Sequence, residues 1–370
     1  MRPVSRRTFL IAHKPASKWW AHFARQRLCW LLLLPSAVLL ARSLAAGQSP
    51  NVQTLVRSGQ AALDAGQFDR ATADFEKAQR LAPDNLEVNR GLVLGYLQTG
   101  RLAEAEAVGR TAVARWPQDG QLQHWLGLVY FKQGQNAEAL EALRRSEKLD
   151  SAQFGIHFDI ALVWLTQKQY SPAADELEKA LSLEPSNALA HVLLGRAYQN
   201  SNRTLQAIEQ FQTALRLDPN LPLGHYHLGF AYGSLGHNRE AIAEYERELA
   251  AGKPRNPEVL YQLGHCLLET GDWKPAIAHL KQATDLAPQN ADAFYDLGKA
   301  LLLEGDVEGA MVALRRSIEL NPTDPSPHYQ LARALEKTGQ GEEARQERQR
   351  FAELKKAQPQ TGGMATGRVQ

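Results

Sequence analysis

HVLLGRAYQNSNRTLQAIEQFQTALRLDP, residues 191–219, decides the fold. Within it apolar side chains recur at helical intervals twice: Leu194, Gly195 and Tyr198, then Ala207, Phe211 and Ala214, with the polar NSNR of residues 200–203 between. Spacings of three and four put such residues on one helix face, so the stretch reads as helix, turn, helix. Pro219 stands where the second helix must stop, because proline has no backbone N–H to donate and its ring clashes with the preceding turn.

The pattern recurs along the chain. Alanine returns at Ala71, Ala105, Ala139, Ala173, Ala207, Ala241, Ala276, Ala310 and Ala344, every step being 34 residues except one of 35. Twelve residues before these alanines stand Gly59, Gly127, Ala161, Gly195, Gly229, Gly264, Gly298 and Ala332, with Val93 as the exception. Pro83, Pro117, Pro185, Pro219, Pro288 and Pro322 close most repeats. A fixed period changes what every local motif means, since each residue is first a position in a repeat. Small residues at fixed places let two helices approach to roughly 8–10 Å, and bulky partners such as Tyr198 and Phe211 fill the space beside them.

This order of aromatic, Leu-Gly, Tyr, Ala, aromatic, Ala and Pro resembles the tetratricopeptide repeat, matched nine times from Val52 to Ala357. The resemblance implies an all-α fold, a right-handed α-α superhelix of about nine repeats, and a non-catalytic scaffold that binds a peptide or partner protein in its concave groove. Three departures stand out. Ser151 replaces a closing proline, AAGKPRNP at residues 250–257 carries the one extra residue, where the stack is expected to bend or flex, and Arg348 in repeat nine takes a place held in most other repeats by Phe or Leu. The last reads as a solvating cap.

Outside the repeats the sequence suggests three short segments. Residues 1–45 hold eight Lys or Arg and no acid, with the apolar run LCWLLLLPSAVLLA at 28–41 and small residues after it. They read as an export signal cleaved near Ala45 or Ala46, giving a periplasmic or secreted protein. An uncleaved inner-membrane anchor is the alternative, although a comfortable span takes roughly twenty apolar residues. SRRTFL at 5–10 resembles a twin-arginine motif but is separated from the apolar run. Residues 46–51 read as a linker and 358–370, without bulky periodic residues, as a disordered tail.

Beyond residue 45 the chain holds 34 Lys and Arg against 40 Asp and Glu. A mildly acidic body lacks the basic footprint that nucleic acid or an anionic membrane surface requires, so nucleic acid is not an expected partner and membrane contact is confined to the leader. Cys29 lies in the leader and Cys266 is then the lone cysteine, read as a small packed residue; no internal disulfide forms. No phosphate loop, GxGxxG, HExxH, GxSxG or paired CxxC is present, and almost no sequence lies outside the repeats to bring several groups to one reacting atom. No enzyme activity and no cofactor are expected.

LGHYHLGFAYGSLGH, residues 223–237, carries three histidines and four glycines, yet the repeat accounts for them. Gly229 is the close-approach residue, Tyr232 the packing aromatic and Gly236 the turn. His225 shares its place with His157, His191 and His328. Equivalent residues of neighbouring repeats lie about a helix diameter apart, whereas zinc ligands sit about 2 Å from one centre, so these histidines do not share an ion.

With the small residue taken as position 8 of each first helix, positions 4, 7, 8 and 11 face the paired helix, and positions 5, 9 and 12, turned by about 100°, form the neighbouring stripe. In tetratricopeptide arrays that stripe lines the groove, so by resemblance it marks the candidate partner-binding residues. In repeats two to four it is apolar: Leu94 and Leu97, Leu128 and Phe131, then Phe158, Leu162 and Leu165. Either curvature of the stack buries these side chains or a partner covers them. Half-burying six of them contributes roughly 5–9 kcal/mol, against an association cost of about 4–15 kcal/mol, so a partner needs further contacts. Those come from a column of tyrosines followed four residues later by a basic or titratable group: Tyr261 with His265, Tyr295 with Lys299, Tyr329 with Arg333, extended by Tyr226 and by Arg196. Such a column suits an acidic or aromatic peptide, although Glu258, Asp292 and Glu336 keep it from being uniformly basic. The carboxylate clamp of chaperone-binding arrays, with Lys and Asn at positions 5 and 9 of the first repeat, is replaced by Val56 and Gln60, and none of the nine residues at position 6, from Arg57 to Gln330, is asparagine. Two classes of function stay open beside each other: the groove-binding adaptor, and a structural or self-associating cell-envelope protein.

Overall fold

The computed structural model describes residues 51–250 and 256–357. The leader at 1–45, most of the linker, the tail at 358–370 and the inserted residues 251–255 lie outside them. The described residues form eighteen helices and no strand. In order these are α1 (Val52–Asp64), α2 (Phe68–Leu81), α3 (Leu86–Thr99), α4 (Leu102–Arg115), α5 (Gly120–Lys132), α6 (Asn136–Leu149), α7 (Phe154–Thr166), α8 (Tyr170–Leu183) and α9 (Ala188–Asn200). There follow α10 (Thr204–Leu217), α11 (Gly224–Ser234), α12 (Asn238–Ala250), α13 (Pro257–Thr270), α14 (Trp273–Leu286), α15 (Ala291–Glu304), α16 (Val307–Leu320), α17 (Pro325–Lys337) and α18 (Gly341–Ala357). None is long and apolar enough to cross a membrane.

The described residues fall into two compact units, one ending at Val163 and the other beginning at Trp164. Within each, a helix packs on its neighbours in sequence, as α1 on α2 and α2 on α3, or α9 on α10 and α10 on α11. The odd helices also touch one another, α1 with α3 and α3 with α5 in the N-terminal unit, and α9 through α17 in succession in the C-terminal unit. The even helices do so at most weakly. Each unit therefore has an inner layer of first helices and a more open outer layer of second helices.

The small residues sit where the two helices of a repeat meet. A β-carbon on Gly195 would lie 2.6 Å from the Phe211 ring, and one on Gly127 would lie 2.7 Å from Leu143. Val93 is fully buried despite its size, because repeat two reverses the arrangement: the facing residue is Gly109, whose added β-carbon would lie 3.7 Å from Val93. The exception in the small-residue column is thus a swap of large and small across one contact.

Asparagine or aspartate begins seven of the first helices: Asn51, Asn85, Asp119, Asn187, Asn256, Asn290 and Asp324 each accept a hydrogen bond from a backbone N–H of the first turn. That satisfies donors which have no partner inside the helix. Helix α11 has no such residue; Leu223 takes a left-handed conformation there, and Glu248 of α12 accepts from the N–H groups of Leu223 at 3.1 Å and Tyr226 at 3.2 Å. The turn inside each repeat also needs a left-handed residue. Glycine supplies it at Gly66, Gly100, Gly134, Gly236, Gly271, Gly305 and Gly339, while Lys168 and Asn202 adopt it at φ 58° and 61°.

Candidate functional site

Each inner layer is best read column by column. Position 9 holds Gln60, Leu94, Leu128 and Leu162 in the N-terminal unit, and Arg196, Phe230, His265, Lys299 and Arg333 in the C-terminal unit.

In the N-terminal unit the apolar stripe divides. Leu97, 1% exposed, and Leu128, 7% exposed, belong to the hydrophobic core around Phe75, Leu92 and Val129. This corrects their reading as surface for a partner: the touching of α1, α3 and α5 covers them. Leu94, Phe131, Phe158 and Leu162 remain half-buried, and Phe158 stacks on Phe154 with ring centres 5.2 Å apart. His124, at position 5 of repeat three, meets Asp159, at position 6 of repeat four, at 2.7 Å.

In the C-terminal unit Leu165 is half-buried, as are Tyr226, Tyr261 and Tyr295. The basic column is mostly neutralised from within. Asp296, itself buried, lies 2.8 Å from His265 Nδ1, and this hydrogen bond raises the His265 pKa against the opposing effect of its burial. Lys299 reaches Glu269 at 3.4 Å and lies 5.7 Å from the centre of the Tyr295 ring. Tyr261 and His265 have ring centres 6.1 Å apart. The third rung does not form: Tyr329, 44% exposed, packs on Phe351 of α18 at 5.4 Å, while Arg333 donates to Gln330 at 3.1 Å.

Arg196 differs. It has no ion-pair partner and no side-chain hydrogen bond among the described residues, where only its backbone carbonyl is engaged, by Asn200. Burial lowers its pKa, and the groups that bear on it are Tyr170 and Tyr226. Beside it His227 stacks on Phe211, ring centres 5.5 Å apart, and meets Tyr226 edge-on at 5.4 Å. Burial first, and the Arg196 charge second, push the His227 pKa down to about 3, so its ring is neutral at any ordinary pH. Tyr226 also lies 6.1 Å from Tyr245, and burial raises the pKa of both phenols.

The histidines that share a place in the repeat are structural ties. His191 contacts Gln210 at 2.7 Å, His225 contacts Glu244 at 2.6 Å and His328 contacts Glu347 at 2.5 Å, each partner lying 19 residues on in the second helix of the same repeat. The other ring nitrogen reaches back six residues to a turn carbonyl, Pro185 from His191 and Ser151 from His157; Asn89 does the same to Pro83 at 2.8 Å. These donors tie the turn that precedes a first helix to the body of that helix. Cys266 is buried and its thiol pKa is pushed up to about 12, chiefly by desolvation, which leaves it an unreactive packed group.

Column reading of the sequence overlooked the carboxylates at position 6, Asp159 and Asp296, which hold the histidines at positions 5 and 9 of the preceding repeats. Their signal was an acid 31 to 35 residues after a histidine.

A stack of helical hairpins with a 34-residue period and one inner layer per unit defines the α-helical repeat class. Tetratricopeptide-repeat profiles match residues 56–120, 226–290 and 261–325, with further profiles of the repeat at 201–236 and 301–360. Together these cover more than half of the 370 residues, and the chain belongs to the tetratricopeptide repeat family. A profile described as anaphase-promoting complex, cyclosome, subunit 3 matches residues 98–180. No curated protein sequence matches significantly. Among solved structures the chain is similar to the C-terminal part of a TPR repeat-containing protein from Cytophaga hutchinsonii, at 17% identity and TM-score 0.55 over 65% of this chain and 99% of that one. It is also similar to the Cut9–Hcn1 hetero-tetramer of the anaphase-promoting complex (20% identity, TM-score 0.49, 77% of this chain and 54% of that one). PilF from Pseudomonas aeruginosa gives 20% identity and TM-score 0.49 over 56% of this chain and 94% of that one.

Proposed function

We propose that the protein is a non-catalytic adaptor that holds an extended peptide or a segment of a partner protein along its inner helices. One observation carries this reading: after the inner helices have packed on one another, large apolar and aromatic side chains on that layer keep surface, namely Leu94, Phe131, Phe158 and Leu162 in one unit, and Leu165, Tyr226, Tyr261 and Tyr295 in the other. Tyrosine offers a wide apolar face with a polar tip and loses little conformational freedom on binding. Lys299 and Arg333 would add charge at the edge of such a contact.

The proposed setting is outside the inner membrane. A leader of the composition found at residues 1–45 supports export with cleavage near Ala45 or Ala46, and mass spectrometry of the protein from its native cell should find a mature chain beginning near residue 46.

Photocrosslinking in that cell tests the adaptor reading. A photoreactive residue at 158 or 295 should trap a discrete protein that the same residue at 312 does not, because Val312 is 70% exposed on an outer helix. Equal trapping at all three positions overturns groove binding. Trapping of a second copy of this chain alone favours the self-associating envelope protein instead.

A further inference from the structure

We propose that Arg196 anchors the carboxylate of a glutamate or aspartate side chain in a peptide bound along the inner helices of the C-terminal unit. The inference rests on the groove reading above and names the chemistry of its ligand.

At position 9 of this unit the other charged or titratable residues have internal partners: His265 has Asp296, Lys299 has Glu269, and Arg333 has Gln330. Arg196 alone has none among the described residues. Arg196 is half-buried, and a guanidinium partly withdrawn from water without a counter-charge carries a cost that is relieved when an anion arrives with matching hydrogen bonds. This sequence offers no further side chain to play that part, since residues 1–50, 251–255 and 358–370 contain neither Asp nor Glu. An acidic side chain of a bound peptide would supply the missing anion.

Two neighbours reinforce the shortage of acceptors. Gln199 lies three residues on, over Arg196 on the same face of α9, and its amide Nε2 is buried without a hydrogen-bond acceptor. The Tyr226 side chain, whose phenol feels the Arg196 charge, also makes no hydrogen bond. A carboxylate is acceptor-only. Seated beside Arg196 it takes the guanidinium N–H groups, and a turn of the Gln199 side chain or a donation from the Tyr226 hydroxyl fills its remaining lone pairs. The neighbouring Tyr226 and His227 rings shield that contact from water, where a charge-assisted bond is stronger.

Charge counting selects the carboxylate over a phosphate. A phosphorylated side chain carries about −1.5 to −2 at neutral pH, and the site offers one cation, because His227 is neutral. The acid that bears on the cluster, Glu258, acts on Tyr226, and its own carboxylate accepts from Gln262 at 3.1 Å. A single negative charge balances Arg196; a double one leaves an excess facing Glu258.

The test uses the full chain and two probes. The first is an array of synthetic decapeptides in matched sets carrying Glu, Gln or phosphoserine at the centre. Wild type should retain Glu members at least about tenfold better than their Gln counterparts, R196Q should bind both alike, and R196K, which keeps the charge, should recover part of the preference. Circular dichroism and a melting curve establish that both variants fold. Equal binding of Glu and Gln sets by wild type, preference for phosphoserine, or a preference that survives R196Q overturns the assignment. The second probe is N-acetylglutamate methylamide, followed through the Arg196 Nε–H resonance, which is identified by its loss in R196K. The resonance should shift saturably with this compound and not with its glutamine analogue, and no shift overturns the anion site itself. An array with no binders but a shifting Arg196 resonance overturns the groove reading and leaves the anion site. Sedimentation of wild type as a dimer that R196Q dissociates assigns the acid to a second copy of this chain and overturns the peptide as occupant.

Discussion

The two units use the same helix positions differently. At position 9 the N-terminal unit places leucines in repeats two to four, of which Leu128 is buried where α1, α3 and α5 touch while Leu94 and Leu162 stay half-buried. In the C-terminal unit charged and titratable groups predominate there, and most are settled with an acid or amide of a neighbouring turn or repeat. The turns differ too: Gly66, Gly100 and Gly134 serve the first unit, whereas the second opens with Lys168 and Asn202 in the left-handed region. A repeat architecture fixes where a side chain stands, and the neighbouring repeat decides whether it is core, ion pair or open surface.

Removing a methyl-rich side chain where the inner helices touch should have the largest effect. Leu97→Ala should destabilise the N-terminal unit by about 2–5 kcal/mol, the range for a buried leucine, measured by urea unfolding; a loss under 0.5 kcal/mol would mean that this side chain faces solvent. Lys168→Gly should stabilise by about 1 kcal/mol, because a side chain costs roughly that in the left-handed region, and a lower melting temperature would contradict the turn geometry. The His265–Asp296 pair should show as a pH dependence. Its pKa is raised in the fold, so its contribution is complete below the unfolded value of about 6.5 and fades as pH rises through the higher folded value. The melting temperature should therefore fall between neutral and mildly alkaline pH more steeply in wild type than in Asp296→Asn. Arg333→Ala should change stability by less than about 0.5 kcal/mol, since its only partner among the described residues is Gln330, one turn away on its own helix; a larger loss would make this side chain structural.

Much of this was legible without coordinates. The alanine and glycine columns fix the register because only small residues allow the close approach seen at Gly195 and Gly127, and the helical class follows. Val93 was opaque when read down its own column, since its compensation, Gly109, lies in the facing helix sixteen residues on. Leu97 and Leu128 were misread because rotation about one helix axis says which face a residue occupies and not how near the next inner helix comes. The basic column was readable as charge, but its neutralisation depends on Glu269 and Asp296, in other repeats. Arg196 became distinctive only when those partners had been assigned and it had none among the described residues.

Glu248 has one more consequence. Seven first helices carry their own starting residue, so each can nucleate as it leaves the ribosome. Helix α11 borrows its start from a carboxylate 25 residues beyond Leu223, and during synthesis it has to wait until α12 has emerged and folded back. Translation would thus pass through an interval in which the start of α11 lacks the acceptor that Glu248 later brings to it.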